Sequence, residues 1–235
     1  FRGYKWKISK KKSMLLISDE KSLSREIDSL RKSGKQINFI PTMGNLHLGH
    51  SSLFKKSENT KEIRVVSIFV NPLQFNDDKD FDNYPRTIES DKKKLLAEAV
   101  DVLFLPDARI INVEKFAIRL GYISRKLCGV DRSGHFEGVA TVVARLFGIV
   151  QPHVAVFGEK DFQQLYLVKK LLEKKYKTKV IPCKTIRDKN NVALSSRNFL
   201  LNKSNLNVAK NIYKNLVKIK KNINKKNNIS DFLNF

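Results

Sequence analysis

The chain has 235 residues, of which 41% are hydrophobic and 29% are charged. This composition is typical of a globular protein and excludes disordered, collagen-like and fibrous classes. No apolar run approaches the roughly 20 residues that a membrane helix needs, and the MLLI stretch after the basic amino terminus is too short for a signal peptide. The two cysteines, Cys128 and Cys183, have no metal-ligand spacing around them, which removes support for a disulfide framework or a zinc finger. We therefore expect a cytoplasmic protein.

The formal net charge of +23 is concentrated at the two ends of the chain. The first 13 residues hold six basic residues and no acid, and residues 202–228 hold eight lysines and no acid. A basic surface favours nucleic acid, because binding releases counterions from the phosphates. Since residues 202–228 are also rich in Asn and Ile, we interpret the two ends as solvated surface. A nucleic-acid patch and the steering of anionic small substrates are the alternatives.

After Met14, short apolar runs alternate with helical patterns. In chain order, the pattern predicts a strand at 37–40, a helix that opens near His50, a strand at 63–70, a helix at 87–99, a strand at 102–105, a helix at 136–149, a strand at 154–157, a helix at 161–174 and a strand at 179–182. This rhythm and the near-continuous apolar strands predict an α/β fold with a parallel sheet covered by helices on both faces.

The same pattern divides the chain into three parts. Residues 1–13 precede any coherent pattern, and we interpret them as a basic extension that takes no part in the fold. The main domain is predicted to span 14–185. A polar loop at 187–198 and a lysine-rich helix follow, so we predict a short C-terminal domain over 186–235.

In an open parallel sheet, ligands bind beyond the carboxyl ends of the strands, so the loops there are candidate sites. The first such loop is 41–50, PTMGNLHLGH. Gly44 and Gly49 allow the backbone to approach a ligand closely. His47 and His50 lie three residues apart and project to one side if they share the first helical turn, beside N–H groups that attract phosphate. The alternatives are a turn with two incidental histidines or a His-x-x-His metal pair.

The second candidate loop is 70–76, VNPLQFN, which leaves the strand at 63–70. Asn71 and Gln74 offer neutral amides to a substrate in a partly apolar pocket. A capping or turn role for Asn71 is the alternative.

Two further loops carry groups that suit phosphate. In 157–164, FGEKDFQQ, Lys160 lies next to a predicted helix start and can meet phosphate as a point charge, or Asp161 simply caps that helix. In 194–198, LSSRN, two hydroxyls and an arginine suit a mobile phosphate clamp, with a helix N-cap as the alternative.

Together, and in this order, these segments resemble the pantothenate synthetase family, within the nucleotidyltransferase superfamily that shares a His-x-Gly-His loop. The resemblance runs from about residue 15 to residue 201. The blocks that carry it are PTMGNLHLGH at 41–50, FVNPLQF at 69–75, YPRT at 84–87, GHFEGVATVV at 134–143, GEKDFQQL at 158–165 and LSSRN at 194–198. The resemblance implies a Rossmann-like ATP- and pantoate-binding domain and a small C-terminal lid domain that carries the phosphate-clamp loop.

The reaction implied by the resemblance is the ATP-dependent condensation of (R)-pantoate with β-alanine to pantothenate. It proceeds through a pantoyl adenylate and releases AMP and pyrophosphate. Mg²⁺ bridging the ATP phosphates is the expected cofactor, with no protein ligands assigned. The resemblance also implies small-molecule substrates and a homodimer. From the sequence we expect no membrane partner and do not favour a nucleic-acid partner.

The resemblance also implies the roles of individual residues. His50, His47 and Lys160 match catalytic positions that donate to phosphate oxygens as charge develops. Gln74, Gln164 and Asn71 match the site for pantoate and β-alanine, where neutral amides orient a carboxylate with less loss of nucleophilicity than an arginine would cause. The positions implied to bind ATP are Met43, Gly44, Asn45, Leu46, His47, Leu48, Gly49, His50, Gly158, Glu159, Lys160, Asp161, Ile186, Leu194, Ser195, Ser196 and Arg197.

The chain departs from the family pattern at a few places. Asn190-Asn191 replaces the usual Asp-Gly, Leu48 replaces a polar residue, and Ser133 replaces a proline. Because Asn tolerates positive φ, we expect the turn at 190–191 to survive. The region after residue 201 is shorter than the usual C-terminal domain.

Two other functions are compatible with part of the sequence. A nucleotidyltransferase that transfers AMP to a phosphate acceptor accounts for the His-x-Gly-His loop but leaves FVNPLQF and GEKDFQQ unexplained. An RNA-binding protein accounts for the net charge, but the chain has no aromatic-rich RNA-reading motif.

Overall fold

A computed structural model describes residues 13–56, 62–111, 118 and 120–225. Of the predicted extension 1–13 only Ser13 is described, and residues 226–235 of the predicted C-terminal domain lie outside the described residues. Within the described part of the chain, six parallel strands form one sheet in the order β1-β4-β3-β2-β5-β6. They are β1 (Leu15–Ile17), β2 (Gln36–Thr42), β3 (Glu62–Ile68), β4 (Val102–Phe104), β5 (Val154–Gly158) and β6 (Lys179–Cys183).

The helices connect these strands and follow them. They are α1 (Glu20–Lys32), α2 (Leu48–Phe54), α3 (Asp78–Asp82), α4 (Ile88–Ala97), α5 (Ala108–Ile111), α6 (Cys128–Asp131), α7 (His135–Val150), α8 (Phe162–Tyr176) and α9 (Lys203–Lys225). Short 3₁₀ turns lie at Pro72–Gln74, Tyr122–Arg125, Glu159–Asp161 and Asn198–Leu200. None of the described helices is both long and apolar enough to cross a membrane.

The direction of the chain across the sheet reverses at β2. From β2 the chain adds β3 and β4 on one side, and β5 and β6 then pair on the other side. The ladder between β2 and β5 joins Asn38 to Val154 and Phe39 to Ala155, and both strands continue beyond it toward their carboxyl ends. This reversal is a topological switch point, where open α/β sheets bind their ligands.

Successive residues of a strand point to opposite faces of the sheet, and here both faces are buried. On β4, Val102 and Phe104 join one apolar cluster and Leu103 joins the other. The first cluster contains residues of α1, α7 and α8, and the second contains residues of α2 and α4. The predicted parallel sheet with helices on both faces is confirmed.

Two elements near the amino end were not predicted. Strand β1 has three residues at the edge of the sheet, and Leu15 and Leu16 are exposed there, so no alternation marks it. Helix α1 has clearer signals: Asp19 caps it by accepting a hydrogen bond from the Ser22 N–H, and Leu23 and Ile27 are buried four residues apart. The predicted strand at 63–70 ends earlier, at Ile68.

The described chain forms two compact units. The first comprises 13–46 and 50–184 within the described ranges, and the second comprises 47–49 and 185–225. In the second unit, Arg187 and Ala193 form an antiparallel bridge, and the Arg187 guanidinium lies 4.0 Å from the centre of the Tyr213 ring on α9. Arginine over an aromatic face is an attractive pairing.

The turn at 190–191 has the backbone that the sequence led us to expect. Asn191 has a φ of 65°, in the left-handed region that favours glycine and tolerates asparagine. The Asp188 carboxylate accepts hydrogen bonds from the backbone N–H groups of Asn190 and Val192, at 2.8 and 2.9 Å. The turn therefore persists without the glycine that is usual at this position.

We expect Asn191→Ala to lower the free energy of unfolding by about 1 kcal/mol, because alanine tolerates a left-handed backbone poorly. Asn191→Gly should be neutral or slightly stabilising. Denaturant titration of the three proteins measures the difference. Asn190→Ala is the matched control, since Asn190 is not in the left-handed region; an equal loss in that variant would contradict the backbone explanation.

Candidate active site

The first candidate loop leaves the carboxyl end of β2 through two consecutive left-handed residues. Gly44 has a φ of 82° and Asn45 a φ of 47°. A Cβ on Gly44 would lie 3.1 Å from Ile68 Cγ2 and 3.2 Å from Asp91 Oδ2, so glycine suits both the backbone and the space. The Thr42 hydroxyl donates to the Ser67 carbonyl oxygen and accepts from the Gly44 N–H, which anchors the start of the loop.

The buried Asp91 carboxylate of α4 holds the next two residues. Its two oxygens accept hydrogen bonds from the backbone N–H groups of Asn45 and Leu46, both at 2.8 Å. Lys94, one turn further along α4, donates to the Leu46 carbonyl oxygen at 2.7 Å. Three hydrogen bonds thus join the backbone of Asn45 and Leu46 to α4.

The second unit contains the middle of the same loop, and there the ring of His47 has a defined orientation. The Gly49 backbone N–H donates to His47 Nδ1 at 3.1 Å. Because an accepting nitrogen carries no proton, this bond assigns the proton of a neutral His47 ring to Nε2. A Cβ on Gly49 would lie 2.7 Å from His47 Cε1, so the ring needs glycine at this position.

Helix α2 begins at Leu48. The two histidines could share the first helical turn only if the helix began earlier, at or before His47. His50 lies in the first turn, and His47 lies just before the helix begins. His47 is therefore oriented by its bond to Gly49 rather than by helical spacing alone.

In the second candidate loop, Asn71 is 1% exposed, and both ends of its side-chain amide are bonded within the protein. Its Oδ1 accepts from the Leu73 N–H, and its Nδ2 donates to Gln74 Oε1 at 3.1 Å and to the Gly138 carbonyl oxygen at 3.2 Å. This geometry supports the capping alternative for Asn71. It also makes Asn71 a positioning group for the Gln74 amide.

The Gln74 side chain faces the first loop. Its Nε2 lies 2.9 Å from the Met43 sulfur, so the structure brings these two predicted site residues together. His135 lies at the start of α7, with its Nδ1 2.6 Å from the Gln74 carbonyl oxygen. Because a carbonyl oxygen only accepts hydrogen bonds, Nδ1 is the ring nitrogen that donates. A Cβ on Gly138 would lie 2.1 Å from the Leu73 carbonyl oxygen, so a glycine is needed for the 3₁₀ turn to pack on α7.

The third loop follows β5 and begins at Gly158. Lys160 is exposed, and its Nζ lies 3.1 Å from both oxygens of Asp161. Surface ion pairs of this kind contribute little to stability, so the ammonium group is available to exchange one anion for another. Gln164 lies in the first turn of α8 and is half-buried, beside a buried Gln163.

The fourth loop lies in the second unit. The Ser195 hydroxyl accepts from the Arg197 N–H at 3.3 Å, and the Ser195 carbonyl oxygen accepts from the Asn198 N–H. The Ile186 carbonyl oxygen accepts from the Leu194 N–H at 2.9 Å. Ser195, Ser196 and Arg197 are half-buried on this turn, which precedes α9.

Among the described residues, no group of three or more His, Cys, Asp or Glu side chains could hold a metal ion. His153 has a structural role, because its Nδ1 accepts a hydrogen bond from the Ile37 N–H at 2.9 Å. Burial, and the charge of Arg31 in addition, lower the pKa of His153.

Sequence reasoning missed Asp91 and His135 as parts of this site. Asp91 had one detectable signal: it lies four residues before the buried Leu95, so a carboxylate occupies the apolar face of α4, where it needs partners. The partner of His135 is a backbone carbonyl 61 residues away, which no local pattern indicates.

A parallel sheet whose His-x-Gly-His loop follows the switch-point strand defines a Rossmann-like nucleotide-binding enzyme. The family model described as pantoate-beta-alanine ligase matches residues 15–234. A pantothenate synthetase from Thermodesulfovibrio yellowstonii is 46% identical over 198 residues, which are 83% of this chain and 71% of that protein. The chain belongs to the pantoate–β-alanine ligase family, and its activity is the condensation of pantoate with β-alanine.

Solved structures agree with this assignment. The pantothenate synthetase of Thermus thermophilus matches with a TM-score of 0.82 and 37% identity, over 90% of this chain and 76% of that one. A pantoate–β-alanine ligase from Francisella tularensis, in complex with beta-gamma ATP and β-alanine, matches with a TM-score of 0.79 and 39% identity. That match covers 86% of this chain and 78% of the other. Relatives such as the one from Aliivibrio salmonicida are longer, and the chain spans 65% of that protein.

We expect Gly49→Ala to reduce turnover by about 10- to 100-fold, because the added methyl group displaces the His47 ring. The free energy of unfolding should not fall, since alanine is favoured over glycine in a helix by about 0.5–1 kcal/mol. Initial rates and thermal unfolding measure the two effects separately. The double variant Gly49→Ala/His47→Ala should be no slower than His47→Ala; unchanged turnover in Gly49→Ala would contradict the role of the ring orientation.

Proposed function

We propose that this chain makes pantothenate in two steps, with ATP as the activating substrate. In the first step, a carboxylate oxygen of (R)-pantoate attacks the α-phosphorus of ATP. The bond to the bridging oxygen breaks, and pyrophosphate leaves with the electron pair. The product is pantoyl adenylate, a mixed anhydride that is reactive enough to acylate an amine.

Gln74 and Gln164 are proposed to hold pantoate in this step. The Gln74 amide is oriented by its bond to Asn71, and its Nε2 faces Met43. A neutral donor fixes the carboxylate without the charge neutralisation that an arginine would impose, so the oxygen keeps its nucleophilicity.

His47, His50 and Lys160 are proposed to stabilise the phosphates. The bond from Gly49 leaves the His47 proton on Nε2, a suitable donor to a phosphate oxygen. Lys160 adds a positive charge once its ammonium group leaves Asp161. In this proposal these groups donate to the phosphate oxygens as charge builds on the leaving pyrophosphate.

In the second step, the amine of β-alanine attacks the acyl carbon of the adenylate. The carbon–oxygen bond to AMP breaks, the amine loses a proton, and the amide of pantothenate remains. The adenylate must be protected from water, and we assign this task to residues 186–235 as a short lid that carries the clamp residues Ser195, Ser196 and Arg197.

Mg²⁺ is proposed to enter with ATP as part of the substrate. It prefers phosphate and water oxygens and needs few protein ligands. When bound, it neutralises charge on the phosphates. We further propose a cytoplasmic homodimer; the two free cysteines, Cys128 and Cys183, fit a reducing compartment.

The observation that carries this proposal is the contact between Gln74 and Met43. It joins an amide suited to a carboxylate with the loop that follows the switch-point strand β2. An adenylate-forming enzyme needs this combination, because the acid must approach the α-phosphate directly. A transferase with a phosphate acceptor would need cationic groups where Gln74 lies.

The test is to measure AMP and pyrophosphate from ATP, Mg²⁺ and pantoate, with and without β-alanine. We expect pantoate-dependent pyrophosphate, and AMP with pantothenate only when β-alanine is present. Lys160→Ala should reduce the rate by about 10²- to 10³-fold. Lys169→Ala, an exposed lysine on α8, is the matched control and should leave the rate unchanged. Absence of any pantoate-dependent product would overturn the proposal.

We expect Gln74→Ala to raise the KM for pantoate by about 10- to 100-fold, the loss expected for a hydrogen bond to a charged group. The KM for ATP should change much less. Initial rates with each substrate varied in turn measure both constants. Gln36→Ala, an exposed glutamine at the amino end of β2, serves as the control; a larger effect on ATP than on pantoate would remove Gln74 from the pantoate site.

A further inference from the structure

We propose that Asp91 is a positioning residue for ATP binding: its buried carboxylate holds the left-handed turn at Gly44–Asn45 and so sets the direction in which the chain enters His47. This inference rests on the proposed function, because it assigns the ATP-binding role to the loop after β2. Asp91 does not itself touch the substrate in this proposal. It acts through the backbone of the loop.

Each oxygen of the Asp91 carboxylate accepts one hydrogen bond from this loop. Its Oδ2 accepts from the Asn45 N–H and its Oδ1 from the Leu46 N–H, both at 2.8 Å. Hydrogen bonds from backbone N–H groups to a carboxylate are about twice as strong as neutral ones. One side chain thus fixes two consecutive peptide groups, which leaves the turn little freedom to rotate.

The carboxylate has further partners on its own helix. The Asp91 side chain is 1% exposed, and an unpaired charge at such a depth would be strongly unfavourable. The Thr87 hydroxyl donates to Oδ2 at 3.0 Å, and the Lys94 ammonium lies 3.7 Å from Oδ1. Asp91 also lies in the first turn of α4, where the helix dipole favours a negative charge.

Lys94 lies near both the Asp91 carboxylate and the loop. Its Nζ donates to the Leu46 carbonyl oxygen at 2.7 Å, so both the N–H and the C=O of Leu46 are bonded to α4. Leu46 itself is 2% exposed, with its side chain in the apolar cluster beneath the loop. The residue directly before His47 is therefore fixed by its backbone and by its side chain.

The backbone of the turn explains why such support is needed. Asn45 has a φ of 47°, a conformation that costs an L-amino acid free energy, and Gly44 before it has a φ of 82°. Bonds from the surrounding structure hold the turn in this conformation. Asp91 supplies those bonds from a helix that is separated from the loop by more than 40 residues of sequence.

The bonds to Asp91 also limit which backbone N–H groups of the loop can bind ATP. The N–H groups of Asn45 and Leu46 point to Asp91, so they are not the amides that meet phosphate. Phosphate contacts from this stretch must come from other atoms of the loop, His47 Nε2 among them. Asp91 therefore determines the path of the loop as far as Leu46 and the direction of the two N–H groups that it binds.

The test compares Asp91→Asn with Glu89→Gln, which makes the same change of charge on the same helix at a side chain that is 76% exposed. An asparagine amide can accept from one N–H group but opposes the other with its own N–H. We expect Asp91→Asn to raise the KM for ATP by about 10- to 100-fold, as for a displaced catalytic loop, with less than about a threefold change in the KM for pantoate. Glu89→Gln should leave both constants unchanged.

A second readout separates this proposal from the proposed function. In a ¹⁵N–¹H spectrum of the unaltered chain, the amide protons of Asn45 and Leu46 should be shifted downfield and protected from exchange. Both features should be lost in Asp91→Asn and kept in Glu89→Gln. An active enzyme whose Asp91→Asn variant keeps the KM for ATP would overturn the role of Asp91 alone. A chain that forms no pantoate-dependent product would overturn the proposed function, while the amide signals still test the support of the turn.

Two further variants keep the proposal testable if Asp91→Asn does not fold. Thr87→Val removes one bond to the carboxylate and leaves both bonds to the loop, so we expect a change of only a few fold in the KM for ATP. Gly44→Ala strains the same turn directly. If Asp91 acts through this turn, the loss in Gly44→Ala/Thr87→Val should be smaller than the product of the two single losses; a full product would contradict the coupling.

Discussion

The parallel ladder between β2 and β5 is the constraint on which the rest of the structure depends. It lies where the chain reverses direction across the sheet, and the His-x-Gly-His loop and the Gly158–Asp161 loop leave the carboxyl ends of its two strands. Two buried faces require near-continuous apolar strands, so polar chemistry is confined to the loops at the strand ends. The position of the candidate site follows from the topology before any functional side chain is considered.

Support for the candidate site comes from groups that do not contact substrate in our proposal. Asp91 holds the backbone of the first loop, and Asn71 and His135 hold the side chain and the carbonyl oxygen of Gln74. Each of these groups is satisfied within the protein, as buried polar groups must be. In our proposal this support orients the Gln74 amide before the reaction, and donors oriented in advance lower the cost of reaching a charged transition state.

Glycine has a specific task at the positions where the loops approach other groups. Gly44 permits a left-handed backbone beside Ile68, and Gly49 leaves room for the His47 ring. At residue 191 the chain uses asparagine in the left-handed region instead, which keeps the turn with a residue other than glycine. The departure at 190–191 is therefore accommodated by backbone chemistry that the residue type itself allows.

The sequence by itself determined the α/β class, most of the central elements and the loops that carry the family motifs, because apolar periodicity and motif spacing are local properties of the chain. It missed β1, whose three residues at the sheet edge show no alternation. Only the tertiary structure decided the strand order, the tautomer of His47 and the internal use of Asn71. It alone identified Asp91, since the partners of this carboxylate lie 45 and 46 residues away and a buried charge is recognised only by the groups that fold around it.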